Sequence, residues 1–465
     1  MTRAQAISKV EAHFDSGAFI ADLARRVAIP STAQEPDKAP ALRAYLTEEM
    51  GPSLAKLGFT WRLLDNPAAP QAPMLVGHRV EDPKLPTVFT YGHGDVIRGL
   101  DEQWRQGLSP WVLKREGDRY YGRGTADNKG QHSINLAAMQ AVIETRGRLG
   151  FNVVALIEVG EEIGSPGLRE VAELHRDLLK ADFLVASDGP RLTPDRPTIY
   201  MGTRGALNFD LTIDLRPGGH HSGNWGGLLA NPGVLLAHAI ASVIDVKGKV
   251  LLPDLKPRAM PNSVRNAIHD LPVDGGPEGP QIDHWWGEPG LTAAEKVFGW
   301  NTFEVLAFRT GNPERPVNAV PPRASAHCQI RYTIDTDPAA FLPALQRHFD
   351  AQGLPVKVTA AGHGFFKATR LDPDHPIAQF AAASVERTTG RKPAMLPNLG
   401  GSLPNDVFAD VLGLPTIWVP HSYASCSQHA PNEHVLGPIL REGLAMMAGI
   451  WWDIGEGGVP LGKDR

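Results

Sequence analysis

Two adjacent carboxylates, Glu161 and Glu162, stand where the chain leaves a predicted strand. Residues 153–159 read VVALIEV, and this apolar, β-branched run predicts a buried strand that ends at Gly160. In a sheet covered by helices, ligands bind at the carboxyl ends of strands, and neighbouring carboxylates repel each other unless a cation or a shared proton lies between them. The pair therefore indicates a cation site or acid–base chemistry. Taken alone, it is better explained by a solvated turn after a strand, and the rest of the chain is what favours the site.

Histidines and carboxylates recur at four further places beside predicted elements: His93 and Asp95 in YGHGDV, Asp127 in GRGTADNKGQ, Asp188 in SDGP, and His429 and His434 in QHAPNEHV. Three of these segments follow predicted strands, and the GRGTADNKGQ segment runs directly into a helix. Taken singly, each has a structural alternative. A lone histidine after a strand is often structural, and an aspartate before a helix suits its N-cap. For His434 we expect a structural role.

Five of these residues together form a set of two histidines and three carboxylates: His93, Asp127, Glu162, Asp188 and His429. Such a set supplies one bridging carboxylate and two further ligands for each of two divalent ions, and its imidazole and carboxylate groups suit zinc, manganese or cobalt. A bridging carboxylate holds two ions about 3.5 to 4 Å apart, and water between them is acidified. Glu161 is then free to accept the proton of that water. We expect two divalent metal ions per chain, with zinc as the first choice.

The elements that must position these residues alternate between strand and helix. Predicted strands lie at 87–91, 151–159, 183–186 and 416–419, and predicted helices at 2–27, 40–57, 129–146, 168–179, 377–388 and 436–452. This alternation predicts an α/β domain with a mostly parallel sheet flanked by helices.

Past Met201 the pattern changes. Strand-like runs at 203–215, 303–310, 323–334 and 355–359, with one helix at 232–246, indicate an inserted α+β unit of about 165 residues. The sequence therefore predicts a discontinuous catalytic domain, residues 1–202 and 369–465, and an inserted domain, residues 203–368.

Composition narrows the class of protein. The 465 residues are 42% hydrophobic and 21% charged, which suits a globular protein with two cores. The net charge of −5 gives no basic footprint for nucleic acid. No run approaches the roughly 18 apolar residues of a membrane span, and the first residues lack the apolar core of a signal peptide. With only two cysteines, Cys328 and Cys426, we expect a cytoplasmic protein that binds neither nucleic acid nor membranes.

In order and spacing, the motifs resemble those of the M20 metallopeptidase family, in its branch of dipeptidases and carnosinase-like enzymes. The resemblance covers nearly the whole chain and is carried by YGHGDV, GRGTADNKG, GEEIGS, ASD at 186–188, HHSG at 220–223, GGSLP at 400–404 and HAPNE at 429–433. It implies a dinuclear catalytic domain with an inserted lid domain that also forms a homodimer. It implies hydrolysis of the amide bond of dipeptides or short peptides by metal-activated water.

The resemblance also assigns roles by matching position. His93 and Asp188 would hold one ion, Glu162 and His429 the other, and Asp127 would bridge them. Glu161 would be the general base, Asp95 the partner of His93, and His221 the oxyanion-stabilising histidine, commonly acting in the partner subunit's site. The positions that hold the substrate's carboxylate and backbone are matched by Asn318, Arg331, Gly400, Gly401 and Ser402. The peptide bond from Asp127 to Asn128 is expected to be cis.

Some positions depart from the family pattern. Val159 and Gly160 replace a glycine and an acid of many relatives, and His220 beside His221 leaves the oxyanion assignment open by one residue. No family motif matches residues 250–300, which include the His284 to Trp286 segment, so this stretch is a candidate for specificity.

Two alternative functions stay open. An N-acyl amino acid deacylase or carbamoylase would use the same metals on a substrate that lacks a free α-amine. A non-catalytic binding protein on the same fold would have lost metal ligands, and all five are present.

Overall fold

The computed structural model describes residues 1–274, 279–362 and 365–461. Its largest feature is an eight-stranded mixed sheet flanked by helices. In spatial order the strands are Thr60–Leu64, Met74–Arg79, Asn152–Glu158, Thr87–His93, Phe183–Ala186, Thr416–Trp418, Thr198–Tyr200 and Ala394–Leu396. The four strands from Asn152–Glu158 to Thr416–Trp418 are parallel, and antiparallel pairings occur on both sides of them. The predicted α/β class is confirmed. The four parallel strands are those that the sequence predicts.

The strand Asn152–Glu158 is buried along its whole length because it packs on both faces. Val153, Ala155 and Ile157 belong to the core on one face of the sheet, whereas Val154 and Leu156 belong to the core on the other. Alternate side chains of a strand point to opposite faces, so a strand covered on both sides has no polar face. This explains the continuous apolar run before the two glutamates.

Helices cover both faces of this sheet. The helices around it are Arg3–Asp15, Ala18–Val27, Ala39–Ala44, Gly51–Lys56, Lys129–Arg146, Leu168–Leu174, Pro376–Thr389 and Gly437–Gly455. Leu168–Leu174 packs on one face, while Lys129–Arg146, Pro376–Thr389 and Gly437–Gly455 pack on the other.

Four predicted helices differ in extent from those observed, and one of them, predicted at 232–246, ends at Ala241. A single helix over 2–27 is wrong, because Gly17 adopts a left-handed conformation with φ 81° and separates two helices. In the predicted helix at 40–57, a π-helical segment, Tyr45–Met50, lies between two α-helices. The helix predicted at 168–179 ends at Leu174.

A second sheet has four antiparallel strands, in the order Thr302–Thr310, Arg323–Tyr332, Gly205–Asp214 and Lys357–Ala360. The helices Pro232–Ala241 and Phe341–Ala351 pack against it and contribute to a core of its own. Short ladders complete the described strands: Gly202–Thr203 with Thr369–Arg370, His220–His221 with Ala319–Val320, Ser422–Tyr423 with Pro190–Arg191, and Arg119–Tyr121 between His434–Leu436 and Lys114–Glu116.

The division into residues 1–202 with 369–465 and residues 203–368 stays a prediction. The predicted units also contain 275–278, 363–364 and 462–465, which lie outside the described residues. Within the second unit, the helices Asn262–Ile268 and Ala293–Phe298 contribute to the core of the eight-stranded sheet. This part of the insertion therefore packs with the larger sheet.

None of the helices in the described part of the chain is both long enough and apolar enough to cross a lipid bilayer. Cys328 and Cys426 are buried free thiols, as expected for cysteines of a protein core.

Candidate active site

Two groups of metal-ligand side chains meet at Asp127. One consists of His93, Asp127 and Asp188, and the other of Asp127, Glu162 and His429; in each, the ligand atoms lie within 4.8 Å of one another. His93 Nε2 lies 3.0 Å from Asp127 Oδ1, whereas His429 Nε2 lies 3.0 Å from Asp127 Oδ2. Each oxygen of Asp127 thus faces a different group. The five ligands predicted from the sequence are brought together with the predicted shared carboxylate at the centre.

The parallel strands explain this convergence. His93 is the last residue of Thr87–His93, and Asp188 follows Phe183–Ala186 by two residues. Glu162 lies in a short 3₁₀ helix, Glu161–Ile163, just after Asn152–Glu158. Because the carboxyl ends of neighbouring parallel strands lie at one edge of a sheet, these side chains meet there.

Asp127 is not the N-cap of the following helix. The cap of Lys129–Arg146 is Asn128, and no side chain accepts a capping hydrogen bond there. The structural alternative for Asp127 is therefore wrong, since its carboxylate faces the two histidines. The peptide bond between Asp127 and Asn128 is cis, as predicted.

The donor set fits divalent cations. His93, Asp127 and Asp188 are buried, and Asp188 Oδ2 is a buried oxygen that accepts no hydrogen bond from any described residue. Burial and the neighbouring carboxylate of Asp127 together raise the pKa of Glu162 to about 7. Hydrogen bonds to Asp127 and Glu162 raise the pKa of His429 to about 11. These pKa shifts show that negative charge is concentrated in a buried place, and bound cations would stabilise it. A set of carboxylate and imidazole ligands suits zinc and related ions.

Glu161 lies beside the two groups but belongs to neither. Its Oε2 is 3.9 Å from His93 Nε2, and its side chain is 14% exposed. Burial raises the pKa of the Glu161 carboxyl well above its ordinary value, and the nearby carboxylates of Asp188 and Glu162 raise it further. A carboxylate next to the ligands, and not among them, is suitably placed for proton transfer, although its role as the base stays a prediction.

Asp95 makes more contacts than the sequence predicts. His93 Nδ1 lies 3.1 Å from the carbonyl oxygen of Asp95 and 3.4 Å from its carboxylate oxygen Oδ1. The same carboxylate accepts hydrogen bonds from the backbone amides of Glu161 at 3.2 Å and Glu162 at 3.0 Å. Asp95 therefore contacts the expected histidine and also fixes the backbone of both glutamates.

Glu433 is a supporting residue that sequence reasoning missed. Its Oε1 accepts hydrogen bonds from the amides of Gly124, Ala126 and Asp127 at 3.0, 3.0 and 3.2 Å, and its Oε2 pairs with Arg123 at 2.7 Å. The side chain is buried. It therefore anchors the loop that carries the shared carboxylate. The available signal was its place in HAPNE, four residues after His429.

The loop around His429 is also specialised. His429 has φ 58°, a left-handed conformation that residues with a Cβ rarely adopt and that is found most often at functional sites. The side-chain amide of its neighbour Gln428 donates a hydrogen bond to Asp127 Oδ2. Gln428 is a second contact that the sequence did not indicate. His434 is buried and lies at hydrogen-bonding distance from the hydroxyl of Tyr423, in keeping with a structural role.

The other predicted site residues fall into two places. His221 and Asn318 lie together on an exposed ribbon, where His220–His221 pairs with Ala319–Val320 and the amide of Ser222 donates to the Asn318 carbonyl. His221 belongs to neither ligand group. Nothing in the described part of this chain therefore brings it to the two groups.

Arg331 and the turn formed by Gly400, Gly401 and Ser402 do come together. Arg331 Nη1 donates to Ser402 Oγ at 2.9 Å, and Arg331 Nε donates to Gln329 Oε1 at 2.9 Å. Leu399, the residue before this turn, packs against Gly189, the residue after Asp188, because a Cβ on Gly189 would lie 3.3 Å from Leu399 Cδ2. A cationic side chain beside a glycine turn suits a substrate carboxylate, which is the predicted role.

Two histidine–carboxylate groups that share one carboxylate, at the carboxyl edge of an α/β sheet, define a candidate metallohydrolase. The family described as "Peptidase family M20/M25/M40" matches residues 89–453. The chain therefore belongs to the M20/M25/M40 peptidases, a family of enzymes that hydrolyse amide bonds, and the resemblance seen in the sequence is confirmed.

Individual relatives agree with this assignment. The chain is 24% identical to human Beta-Ala-His dipeptidase over 452 residues, which cover 92% of this chain and 87% of that protein. It is 30% identical to Beta-Ala-His dipeptidase of Mus musculus over 266 residues, 54% of this chain and 53% of that protein, so this match spans about half the length of the relative. An M20 family metallo-carboxypeptidase of Sulfolobus solfataricus superposes with a TM-score of 0.77 at 25% identity, covering 94% of this chain and 99% of that one.

The contacts of Glu433 generate a prediction for cation binding. Glu433→Gln should lower the affinity for zinc roughly 10- to 100-fold, because partners that orient metal ligands contribute that much to affinity. Competition with a chromophoric chelator measures the change. Glu170→Gln makes the same substitution at an exposed helical position and should bind zinc like the unmodified chain. Equal affinities for the two variants would contradict the assigned role of Glu433.

Proposed function

We propose that this protein hydrolyses the peptide bond of dipeptides or short peptides at a pair of divalent cations. The observation that carries the proposal is Asp127, whose two oxygens lie 3.0 Å from two different histidines. That arrangement suits a bridging carboxylate, and membership of a peptidase family supports the same chemistry. The name of the human relative, Beta-Ala-His dipeptidase, supports a dipeptide as substrate.

The ligands divide between two cations as their geometry suggests. His93 and Asp188 would hold one cation, Glu162 and His429 the other, and Asp127 both. Zinc is the first choice, and manganese or cobalt also suits these donors. Bound cations would polarise the scissile carbonyl and lower the pKa of water.

The protein's own groups then move protons and hold the substrate. Glu161 accepts a proton from the attacking water and delivers it to the leaving amine, as a positioned carboxylate does in general acid–base catalysis. Its position outside both ligand groups leaves it available for this task. Arg331, Asn318 and the Gly400–Ser402 turn hold the carboxylate and backbone of the substrate.

We also propose that the protein forms a homodimer. The strand Thr302–Thr310 lies at the edge of the four-stranded sheet, and Val305, Leu306 and Phe308 on it are between 41% and 54% exposed. An exposed edge with apolar side chains is a typical site for association with another chain. His221 of one subunit would then donate to the oxyanion in the site of the other. A cytoplasmic location, expected from the sequence, stays a prediction.

The first prediction of this proposal separates the candidate substrates. With zinc supplied, the protein should release free amino acids from dipeptides such as β-alanyl-histidine. Glu161→Gln should lower kcat about 10²- to 10⁴-fold, because the group that transfers the proton is lost. The metal content of this variant should be unchanged, because no metal ligand is removed. Ninhydrin or chromatographic detection of amino acids measures both. Activity confined to N-acyl amino acids would replace the dipeptidase by a deacylase. Loss of a cation from Glu161→Gln would exchange the roles of Glu161 and Glu162.

The second prediction concerns the number of cations. A chain reconstituted with zinc and freed of excess metal should hold two ions, and Asp127→Ala should bind neither tightly, because both ligand groups lose a member. Elemental analysis with a quantified protein concentration gives the ratio. Asn66→Ala, at a buried residue of neither ligand group, provides a control for the effects of substitution in the interior. A ratio of one ion per chain would contradict the proposed pair.

The third prediction tests catalysis across a dimer. Glu161→Gln and His221→Ala chains should each be nearly inactive, and mixing them under conditions of subunit exchange should restore activity. Half of randomly exchanged dimers are mixed and each has one intact site, so about a quarter of the unmodified activity is expected. Exchange is followed with two differently sized tags. Confirmed exchange without recovery would show that His221 does not complete a partner's site.

A further inference from the structure

A cavity of about 580 Å³ is lined by Arg204 and by residues between 248 and 304, most of them in the stretch that matched no family motif. Its walls include Arg204, Trp286, Lys296, Trp300, Phe303 and Glu304. Cavities that bind small molecules typically measure roughly 300 to 1,000 Å³ and combine apolar walls with a few polar groups. This cavity therefore has the size and composition of a ligand site, and it contains none of the metal ligands.

Arg204 is the polar group that stands out. Its side chain is more than nine-tenths buried, and its Nη1 makes no hydrogen bond with any described residue. No carboxylate among the described residues lies within ion-pair distance of it. Burial and the neighbouring Arg331 lower the pKa of Arg204 to about 10, although the nearby carboxylate of Glu304 acts in the opposite direction, so Arg204 still carries its charge at neutral pH. A buried guanidinium nitrogen without a hydrogen-bond acceptor is costly, and a ligand carboxylate at Nη1 would lower that cost.

Three aromatic side chains line other parts of the cavity: Trp286, which is 41% exposed, Trp300 and Phe303. The indole ring of Trp286 lies against the backbone of Gly248, where a Cβ would come within 2.4 Å of the ring and where φ is +81°. Glycine at this position therefore allows Trp286 to take its place in the wall. Phe303 is buried, and Trp300 has a buried Nε1 without a hydrogen-bond partner among the described residues. Two indoles and a phenyl ring suit a bulky apolar group.

The cavity is connected to the turn that we assign to the substrate. Arg204 Nε donates to the Gly400 carbonyl at 3.1 Å, and Ser402 Oγ donates to the Arg204 carbonyl at 2.7 Å. A Cβ on Gly400 would lie 3.1 Å from Cγ1 of Val297, another residue of the cavity wall. A ligand bound to Arg204 would therefore lie next to the Gly400–Ser402 turn, which we propose holds the substrate.

We propose that this cavity binds an α-carboxylate with a bulky apolar side chain, the carboxylate on Arg204 and the side chain against Trp286 and Trp300. This ligand has two sources: a free amino acid, or the C-terminal residue of a bound peptide, in which case Arg204 takes the carboxylate-binding role that we proposed for Arg331. Binding of the free amino acid goes beyond the proposed function, and only the peptide source rests on it. Carboxylates in the wall, including Glu304, favour the amino group of a free amino acid.

Calorimetric titration of the full-length protein tests the binding. L-phenylalanine should bind, phenethylamine should bind at least about 10-fold more weakly because it lacks the carboxylate, and glycine should not bind detectably. Arg204→Gln should remove the difference between phenylalanine and phenethylamine. Equal affinities of these two compounds for the unmodified protein, or no binding of phenylalanine, would overturn the proposal.

Two adjacent tryptophans provide a matched pair of variants. Trp286→Leu should weaken phenylalanine binding about 10-fold, whereas Trp285→Leu should not, because Trp285 is 61% exposed and does not line the cavity. Thermal melting confirms that both variants fold. Identical effects of the two substitutions would contradict the site. These binding measurements require no peptidase activity, so their result is independent of the proposed function.

Kinetics distinguish the two sources. If the cavity takes the C-terminal residue of the substrate, Trp286→Leu should raise KM for alanyl-phenylalanine about 10-fold and leave KM for alanyl-glycine unchanged. If it takes a free amino acid, neither KM changes, and phenylalanine binds with the same affinity in the presence of alanyl-glycine. An equal rise in both KM values would indicate general damage to the substrate turn and would overturn the assignment.

Discussion

The repulsion between carboxylates gathered at one edge of a buried sheet is the constraint on which the rest of the site depends. Three of these acids are held by particular groups: Asp95 by the backbone amides of Glu161 and Glu162, Glu433 by three backbone amides and Arg123, and Asp127 by two histidines. Asp188 keeps one oxygen without a hydrogen bond from the described residues. Cations are the remaining means of balancing this charge, so the acids and their supports are best understood as one unit.

Much of the site could be predicted because its residues come directly after strands whose hydrophobic pattern is clear in the sequence. The apolar run before Glu161 marks a strand covered on both faces, and strands of that kind place their carboxyl ends side by side. The outer strands were missed for the opposite reason. Thr198–Tyr200 and Ala394–Leu396 are three residues long, too short to show a period, and Met74–Arg79 contains a glycine and charged or polar residues.

The supporting residues could not be predicted, because their contacts join parts of the chain that are far apart. Glu433 and the Asp127 amide are separated by 306 residues, and a glutamate in a polar loop has no local pattern that distinguishes it from a solvated one. Arg204 is similar, because the residues that line a cavity with it lie 44 to 100 positions further along the chain. Local periodicity identifies elements, whereas such contacts follow only from the assembled fold.

The small ladder between Gly202–Thr203 and Thr369–Arg370 has a consequence for how the chain closes on itself. The amide of Thr203 donates to Oγ1 of Thr369, 166 residues later, so the whole intervening segment forms a loop whose ends are held together beside the larger sheet. The entropy of closing a loop grows only with the logarithm of its length, about 0.6 kcal/mol for each doubling. The eight-stranded sheet could therefore accept an insertion of quite different length at this point at little cost in closure entropy.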